Sequence, residues 1–335
     1  MKTRILVKEG EYRLAKAGVM DAKIDSEELF CYATKCDKVV LFLRKEEEVD
    51  KETEERYFKL IEKRAGRIPL QHITGEQEFM GFKFKVSPKV LIPRQDTETL
   101  VTEAAQILRN EQKKFEEERE KKSFLGKLKS PPTCAEVLDL CCGSGAIGIS
   151  LVKICTDIFV TATDNSRAAL ELAVANADLN RVGLDFIKGD MFAALTDGEH
   201  ITTQSIRNGS GSKGGSGSIG LGKRKNKGSR VTEFDMIVSN PPYIKTNSIA
   251  MLQEEVKGHE PIKALDGGRD GLDFYRIIVG QAADHLKKGG WLIMEIGFDQ
   301  GEDLRKMIMD SGKYTTGEIV KDLPGKDRVV KCQKL

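Results

Sequence analysis

Apolar positions recur at helical spacing from about residue 12 to residue 66. The last of these helices is marked by Tyr57, Phe58, Leu60, Ile61 and Ala65, with Asp50 as its cap and Gly66 as its stop. Further upstream, Asp25 and Glu28 stand at capping-box spacing, with Ser26 as a competing cap. Residues 1–75 therefore read as a small helical domain. Between residues 75 and 94 the period changes to two: Phe79, Phe82, Phe84 and Val86 alternate around Gly81, then Ser87-Pro88 and Val90-Leu91-Ile92 follow. That is a hairpin signal, and it makes residues 76–95 a β-hairpin linker. Asp96-Thr97-Glu98 then opens a helix, because Asp or Thr can cap it and acidic groups suit the positive end of its dipole. It runs through Leu100, Val101, Ala104, Ala105, Ile107 and Leu108. Residues 110–132, charge-dense and ending in Pro131-Pro132, read as a helix tail and linker.

From Glu136 onward, strand-like and helical stretches alternate. The strands are expected at residues 137–141, 158–163, 184–187, 234–239 and 291–296, and the helices at 146–153, 166–179 and 272–286. This order predicts a mostly parallel sheet covered on both faces, so residues 96–335 form one α/β domain. The tail, 314–320 and 328–332, turns through Pro324-Gly325 and adds an antiparallel pair. Residues 202–230 fit no element, with eight Gly, six Ser, seven Lys or Arg and no acid. Such a stretch buries too little apolar surface to offset its ordering entropy, and is expected to be a disordered basic insertion. A passive surface loop is the simpler reading; an arm that meets RNA or an acidic ribosomal surface is the alternative.

Composition sharpens this picture. A length of 335 residues suits two domains, and the modest 39% apolar content is explained by the insertion and the charged stretch after residue 110. Lys and Arg number 54 against 52 Asp and Glu, a net charge of +2; without the seven charges of the insertion, the rest stands at −5. The helical domain is balanced, 16 basic against 15 acidic. Neither region carries the basic footprint of a nucleic-acid coat. The longest aliphatic and aromatic run, Val39-Val40-Leu41-Phe42-Leu43, is far short of the roughly 20 residues of a membrane helix. The N-terminus also lacks a secretory apolar region, so a cytoplasmic location is expected. Seven cysteines, odd in number and without a Cys-x-x-Cys pair, read as reduced, mostly buried thiols rather than a disulfide frame or zinc site.

Two motifs carry chemistry. Gly143-Ser144-Gly145-Ala146-Ile147-Gly148 follows a strand and opens a helix, and Asp164 closes the next strand, where a carboxylate can accept ribose hydroxyls. This pair alone serves a nicotinamide enzyme as well as an adenosylmethionine enzyme. Asn240-Pro241-Pro242-Tyr243 follows the fourth strand. Two prolines remove two backbone donors, leaving nearby carbonyls and the Asn oxygen to accept both hydrogens of a planar NH₂ group. Its nitrogen can then point at an electrophile, with the positive charge that grows there offset by the acceptors. Tyr243 offers an aromatic wall.

The chain resembles the HemK-type protein-(glutamine-N5) methyltransferases over nearly its whole length. The resemblance is carried by Ile68-Pro69-Leu70-Gln71-His72-Ile73-Thr74-Gly75, Leu91-Ile92-Pro93-Arg94 with Thr97-Glu98, and Leu138-Asp139-Leu140 before the glycine turn. It continues through Asn240-Pro241-Pro242-Tyr243, Glu260-Pro261, Ala264-Leu265-Asp266-Gly267-Gly268 with Asp270-Gly271, and Gly289-Gly290. It implies a Rossmann-like, seven-stranded S-adenosylmethionine-dependent methyltransferase fold with a small N-terminal helical domain that helps grip the substrate. The implied substrate is the glutamine of the Gly-Gly-Gln motif of class I peptide chain release factors. By the same resemblance, Asp139, Cys141, Cys142, Gly143, Ser144 and Gly145 form the donor-binding turn, Asp164 binds the ribose, and Asp190 and Met191 lie on the adenine side. Asn240, Pro241, Pro242 and Tyr243 form the glutamine clamp, with Asn240 also facing the donor. Cys141-Cys142 stands where the family often has Gly-Thr, and Met191 where an aromatic is common. Transfer would be in line, without metal, covalent enzyme intermediate or assigned general base. The alternatives are a glutamine methyltransferase of a ribosomal protein, an N6-adenine methyltransferase of nucleic acid, and a non-enzymatic helical adaptor on a vestigial nucleotide-binding fold.

Overall fold

The computed structural model describes residues 1–124, 134–201 and 233–335. The basic insertion expected at 202–230 lies outside them. Two compact units divide the chain.

The first unit comprises Met1–Glu76, Val86–Pro88 and Ala250–Pro261. Its helices are α1 (Thr3–Lys16), α2 (Ala22–Thr34), α3 (Lys38–Leu43), α4 (Lys51–Ala65) and α5 (Leu70–Thr74). Leu6, Leu14, Leu29, Tyr57 and Ile61 are fully enclosed where α1, α2 and α4 meet. Asp50 caps α4 as its sequence predicts, its side chain accepting the Thr53 N–H at 2.8 Å. The capping expected of Asp25 and Ser26 is corrected: α2 begins at Ala22, so both lie inside the helix and are buried. Their polar groups find tertiary partners instead. Ser26 Oγ hydrogen-bonds the Val7 carbonyl and the Tyr57 hydroxyl, each at 2.7 Å. Asp25 meets Arg64 Nε at 2.7 Å, and burial still pushes its carboxyl up. The same guanidinium reaches Glu255 at 3.0 Å, and Arg67 grips the other Glu255 oxygen at 2.5 Å. Arg64 thus serves two carboxylates within this unit.

The second unit opens with the expected hairpin, β1 (Glu76–Phe79) and β2 (Phe82–Lys85). Residues 90–92 form no strand, although Val90 and Ile92 are buried. A 3₁₀ turn, Gln95–Thr97, leads into α6 (Glu98–Phe124), which continues well into the charge-dense stretch. The alternation that follows is β3 (Ala135–Leu140), α7 (Ala146–Ile154), β4 (Ile158–Asp164), α8 (Arg167–Asn180), β5 (Asp185–Lys188), β6 (Glu199–Ile201) and β7 (Phe234–Ser239). It closes with α9 (Asp273–His285), β8 (Leu286–Glu295), α10 (Gly301–Ser311), β9 (Glu318–Lys321) and β10 (Asp327–Gln333).

The strands lie in the order β6-β5-β4-β3-β7-β8-β10-β9. From β5 to β8 all neighbours are parallel; β6 at one edge and the β10-β9 pair at the other run antiparallel. The three-residue β6 is an addition to the seven strands that the resemblance implies. Alternation within the strands splits the core. Val137, Met236, Val238 and Ile293 join Leu100, Ile149 and Leu170 on one face, while Leu138, Ile237, Leu292 and Met294 join Ile278 and Ile308 on the other. Both faces are covered, as a parallel sheet requires. The chain leaves β3 toward β4 and later returns to its other side as β7, which puts a switch point at the carboxyl end of β3.

Replacing Arg64 by Met would leave Asp25 without its cation and Glu255 with only Arg67. Breaking a buried pair in this way costs about 3–5 kcal/mol. Urea unfolding of the full chain, followed by circular dichroism, is expected to show the helical transition at a clearly lower midpoint; an unchanged curve would contradict the role given to Arg64.

Candidate active site

Three loops converge at that switch point: 141–145 after β3, the end of β4 at Asp164, and 240–243 after β7. Ser239 Oγ donates to the Leu140 carbonyl at 2.7 Å, tying the ends of β7 and β3 together.

The first loop is shaped by its backbone. Cys141 sits in the left-handed region at φ 62°, an uncommon setting for a side chain with a Cβ. Cys142 N–H donates to the Thr163 carbonyl at 2.9 Å, and Gly145 N–H to the Cys142 carbonyl at 2.8 Å. Gly143 N–H points to Asp164 Oδ2 at 2.9 Å, while Oδ1 accepts the Ser166 N–H at 2.8 Å. Burial raises the Asp164 carboxyl above its ordinary value against these backbone donors. Behind the loop, Asn176 of α8 is fully buried and bonds the Lys85 N–H and carbonyl and the Ser144 carbonyl.

Asp139 plays a different part from its neighbours. Its Oδ2 accepts the Gly148 N–H at 2.9 Å, satisfying one of the orphan donors in the first turn of α7. A Cβ on Gly148 would come within 3.0 Å of that oxygen, so the last glycine of the motif permits this approach. Burial pushes the Asp139 carboxyl up to about 7, and its Oδ1 has no hydrogen-bond partner among the described residues. Burial likewise pushes the Cys141 and Cys142 thiols up, which favours their protonated forms. Met191 is buried with its sulfur 3.7 Å from Cys141 Sγ, and Asp190 is exposed on the loop after β5.

The 240–243 segment is built from both sides. Pro241 is buried, and Asn240, Pro242 and Tyr243 are half-buried. Asn240 Nδ2 donates to Thr97 Oγ1 at 3.2 Å, so Oδ1 faces away from that partner. Tyr243 donates its hydroxyl to Glu295 Oε1 at 3.3 Å. Gln300 Nε2 donates to the carbonyls of Tyr243 and Gly271, each at 3.1 Å. Gly271, at φ 78°, lies so close that a Cβ there would stand 2.4 Å from the Tyr243 carbonyl.

Glu295, Gln300 and Arg328 are the members that the sequence motifs did not single out, and Thr97 stands in those motifs only as a helix opener and a residue of the resemblance. Arg328 is buried between Asp96 at 3.0 Å and Asp322 at 3.1 Å. One sequence signal did exist: Glu295 is a lone acid ending the apolar run Trp291-Leu292-Ile293-Met294. A carboxylate there must be enclosed by the sheet.

A glycine-lined turn facing a set of acceptors, across the switch point of a doubly wound sheet, belongs to the S-adenosylmethionine-dependent methyltransferase class. Known proteins narrow the class to a family. The PrmC N-terminal domain matches residues 6–75, and the methyltransferase small domain matches residues 121–203. A release factor glutamine methyltransferase from Geobacter sulfurreducens is 35% identical over 317 residues, covering 95% of this chain and 91% of its own. One from Moorella thermoacetica is 34% identical over 332 residues, covering 98% and 97%. One from Deinococcus radiodurans is 30% identical over 334 residues, covering 100% and 99%. The chain belongs to the release factor glutamine methyltransferase family.

Gly271→Ala would force the Tyr243 backbone aside, and displacements of this size at a reacting centre cost up to about a hundredfold in rate. Methyl transfer is expected to fall by roughly tenfold or more, with donor affinity, read by calorimetry, unchanged. Full turnover in this variant would show that Gly271 does not set the clamp.

Proposed function

We propose that this chain transfers a methyl group from S-adenosylmethionine to the side-chain amide nitrogen of the glutamine in the Gly-Gly-Gln motif of peptide chain release factors, acting in the cytoplasm. The observation that carries the reading is the direction of the Asn240 amide. Because Nδ2 is committed to Thr97, Oδ1 is left as an acceptor beside two prolines that contribute no N–H. A substrate group held there must bring hydrogens, as a glutamine side-chain NH₂ does.

The donor fits the opposite side on two observations. A Cβ built on Gly143 would meet nothing nearer than Val90 at 3.9 Å, so this edge of the turn is open to a ligand. Asp164 takes the Gly143 and Ser166 N–H groups on separate oxygens, with the Asn165 N–H also turned to it, and the lone pairs that remain can accept ribose hydroxyls. Residues 141–145 and Asp164 would hold the nucleoside and amino-acid parts of the donor, with Met191 beside the base. When bound, the donor supplies an electrophilic methyl on a positively charged sulfur.

The chain's own contribution is positioning and electrostatics. Asn240 Oδ1 and the Pro241 carbonyl accept the two amide hydrogens and turn the nitrogen toward the donor side. An amide nitrogen is a poor nucleophile because its lone pair is delocalised. Acceptors fixed on its hydrogens favour the charge that develops as it attacks, and they need no reorganisation at that moment. Tyr243 packs against the planar group. The proton released afterwards passes to water, and no side chain is assigned as its base.

Incubation with S-adenosylmethionine and a purified release factor, followed by peptide mass spectrometry, is expected to place one methyl on the Gly-Gly-Gln glutamine. Methyl on nucleic acid or on a ribosomal protein, with none on that peptide, would overturn the reading. Asn240→Ala is expected to lower kcat by about 10²–10³ while donor affinity holds. Asp164→Ala is expected to do the reverse, weakening donor binding roughly tenfold or more, since a hydrogen bond to a charged group is worth about 1.5–3 kcal/mol.

A further inference from the structure

We propose that Glu295 is a positioning residue: its buried carboxylate, acting through Thr97 and Tyr243, fixes the polarity of the clamp and so decides which end of the Asn240 amide meets the substrate. The inference rests on the methyl-transfer reading above and names a residue that directs it.

The geometry is a chain of donors running one way. Glu295 ends β8 and is 1% exposed. Its carboxylate takes a hydrogen bond from the Thr97 side chain, and Oε1 takes the Tyr243 hydroxyl at 3.3 Å. An ionised carboxylate only accepts, so Thr97 must spend its single hydrogen on Glu295. The Thr97 oxygen is then left to accept, and what it accepts is Asn240 Nδ2 at 3.2 Å. With Nδ2 held, Oδ1 is presented to the substrate. The second carboxylate oxygen, Oε2, is buried with no hydrogen-bond partner among the described residues. A buried oxygen left bare makes this carboxylate ready to take up a proton.

Once protonated at that oxygen, Glu295 is a weaker acceptor and no longer commits the Thr97 hydrogen. Thr97 can then donate toward Asn240, which turns the amide over and faces its NH₂ to the substrate. Burial pushes the Glu295 carboxyl up to about 7, opposed by Thr97, Arg328 and Tyr243. The groups that face it come from four elements. The 3₁₀ turn brings Thr97 and Asp96, and the clamp brings Tyr243, whose hydroxyl burial keeps protonated. From β10 comes Arg328, itself paired with Asp96 and Asp322, and from α9 comes Tyr275, which donates to the Glu295 main-chain carbonyl at 2.8 Å. Since the raised group works as the ion, activity is present above about 7 and lost as pH falls through it.

The test is the kcat profile for release-factor methylation between about pH 5.5 and 8.5 in wild type and in Glu295→Gln, with donor affinity measured alongside. The wild type is expected to lose activity on an acid limb near 7. Glu295→Gln is expected to lower kcat roughly tenfold or more, to abolish the limb, and to leave KM and donor affinity within about twofold. A Glu295→Gln variant that keeps both wild-type kcat and the limb would sink the proposal. Should that variant not fold, Thr97→Val decides: it removes the middle member of the relay while keeping Glu295 itself, and undiminished kcat there is equally fatal. A wild type that methylates no release factor at any pH fails the functional reading itself, and this inference with it.

Discussion

A carboxylate enclosed at the end of an apolar strand has to be met by donors, and Glu295 draws them from three places in the fold. Thr97 arrives from the turn before α6, Tyr243 from the loop after β7, and Arg328 approaches from β10. Leaving a buried charge unmet costs several kcal/mol, so arrangements in which these elements drift apart are disfavoured as the sheet closes. The clamp is therefore held in shape by folding rather than by substrate. Preorganisation of this kind is what electrostatic stabilisation of a transition state requires.

The clamp's main chain is held just as firmly. One buried amide, Gln300, donates to the Tyr243 and Gly271 carbonyls and accepts the Gly297 N–H at 2.8 Å. Ile244 and Gly267 exchange backbone bonds with Leu265 and Ile244 in turn, so the segment after the clamp lies against the 265–271 loop. Side-chain polarity and backbone position are thus set by different partners. Glu295 acts on the first and Gln300 on the second.

The parts of this architecture that can be read from the chain are those whose signal is local. Strands such as 234–239 carry apolar side chains on both faces, as in Met236-Ile237-Val238, because both faces of a parallel sheet are covered, and Asp50 reads as a cap because its partner is three residues on. Asp25 and Ser26 mislead for the opposite reason. Their spacing imitates a cap, while their partners, Arg64 and Tyr57, come from another helix. Val90 and Ile92 alternate like a strand because both are buried, yet no neighbouring strand pairs with them. The glycine turn, Asp164 and the Asn-Pro-Pro-Tyr segment stand out in the sequence by local pattern, and the fold gathers them at one switch point. The proposed relay behind them does not, because no local pattern says that Thr97, read as a helix opener, meets Glu295 almost two hundred residues on.

The same division bears on Cys141, Cys142 and Met191, where the resemblance is incomplete. On the proposed donor side the holding groups are backbone N–H groups and one carboxylate, so the reading asks of Cys141, Cys142 and Met191 only that the turn keep its shape. The cost falls on the backbone: Cys141 must hold φ 62°, where a glycine would rest without strain. The acceptor side has no such latitude. On the proposed acceptor side the work is done by the direction of side-chain hydrogen bonds, which a substitution at Thr97 or Glu295 would reverse or remove.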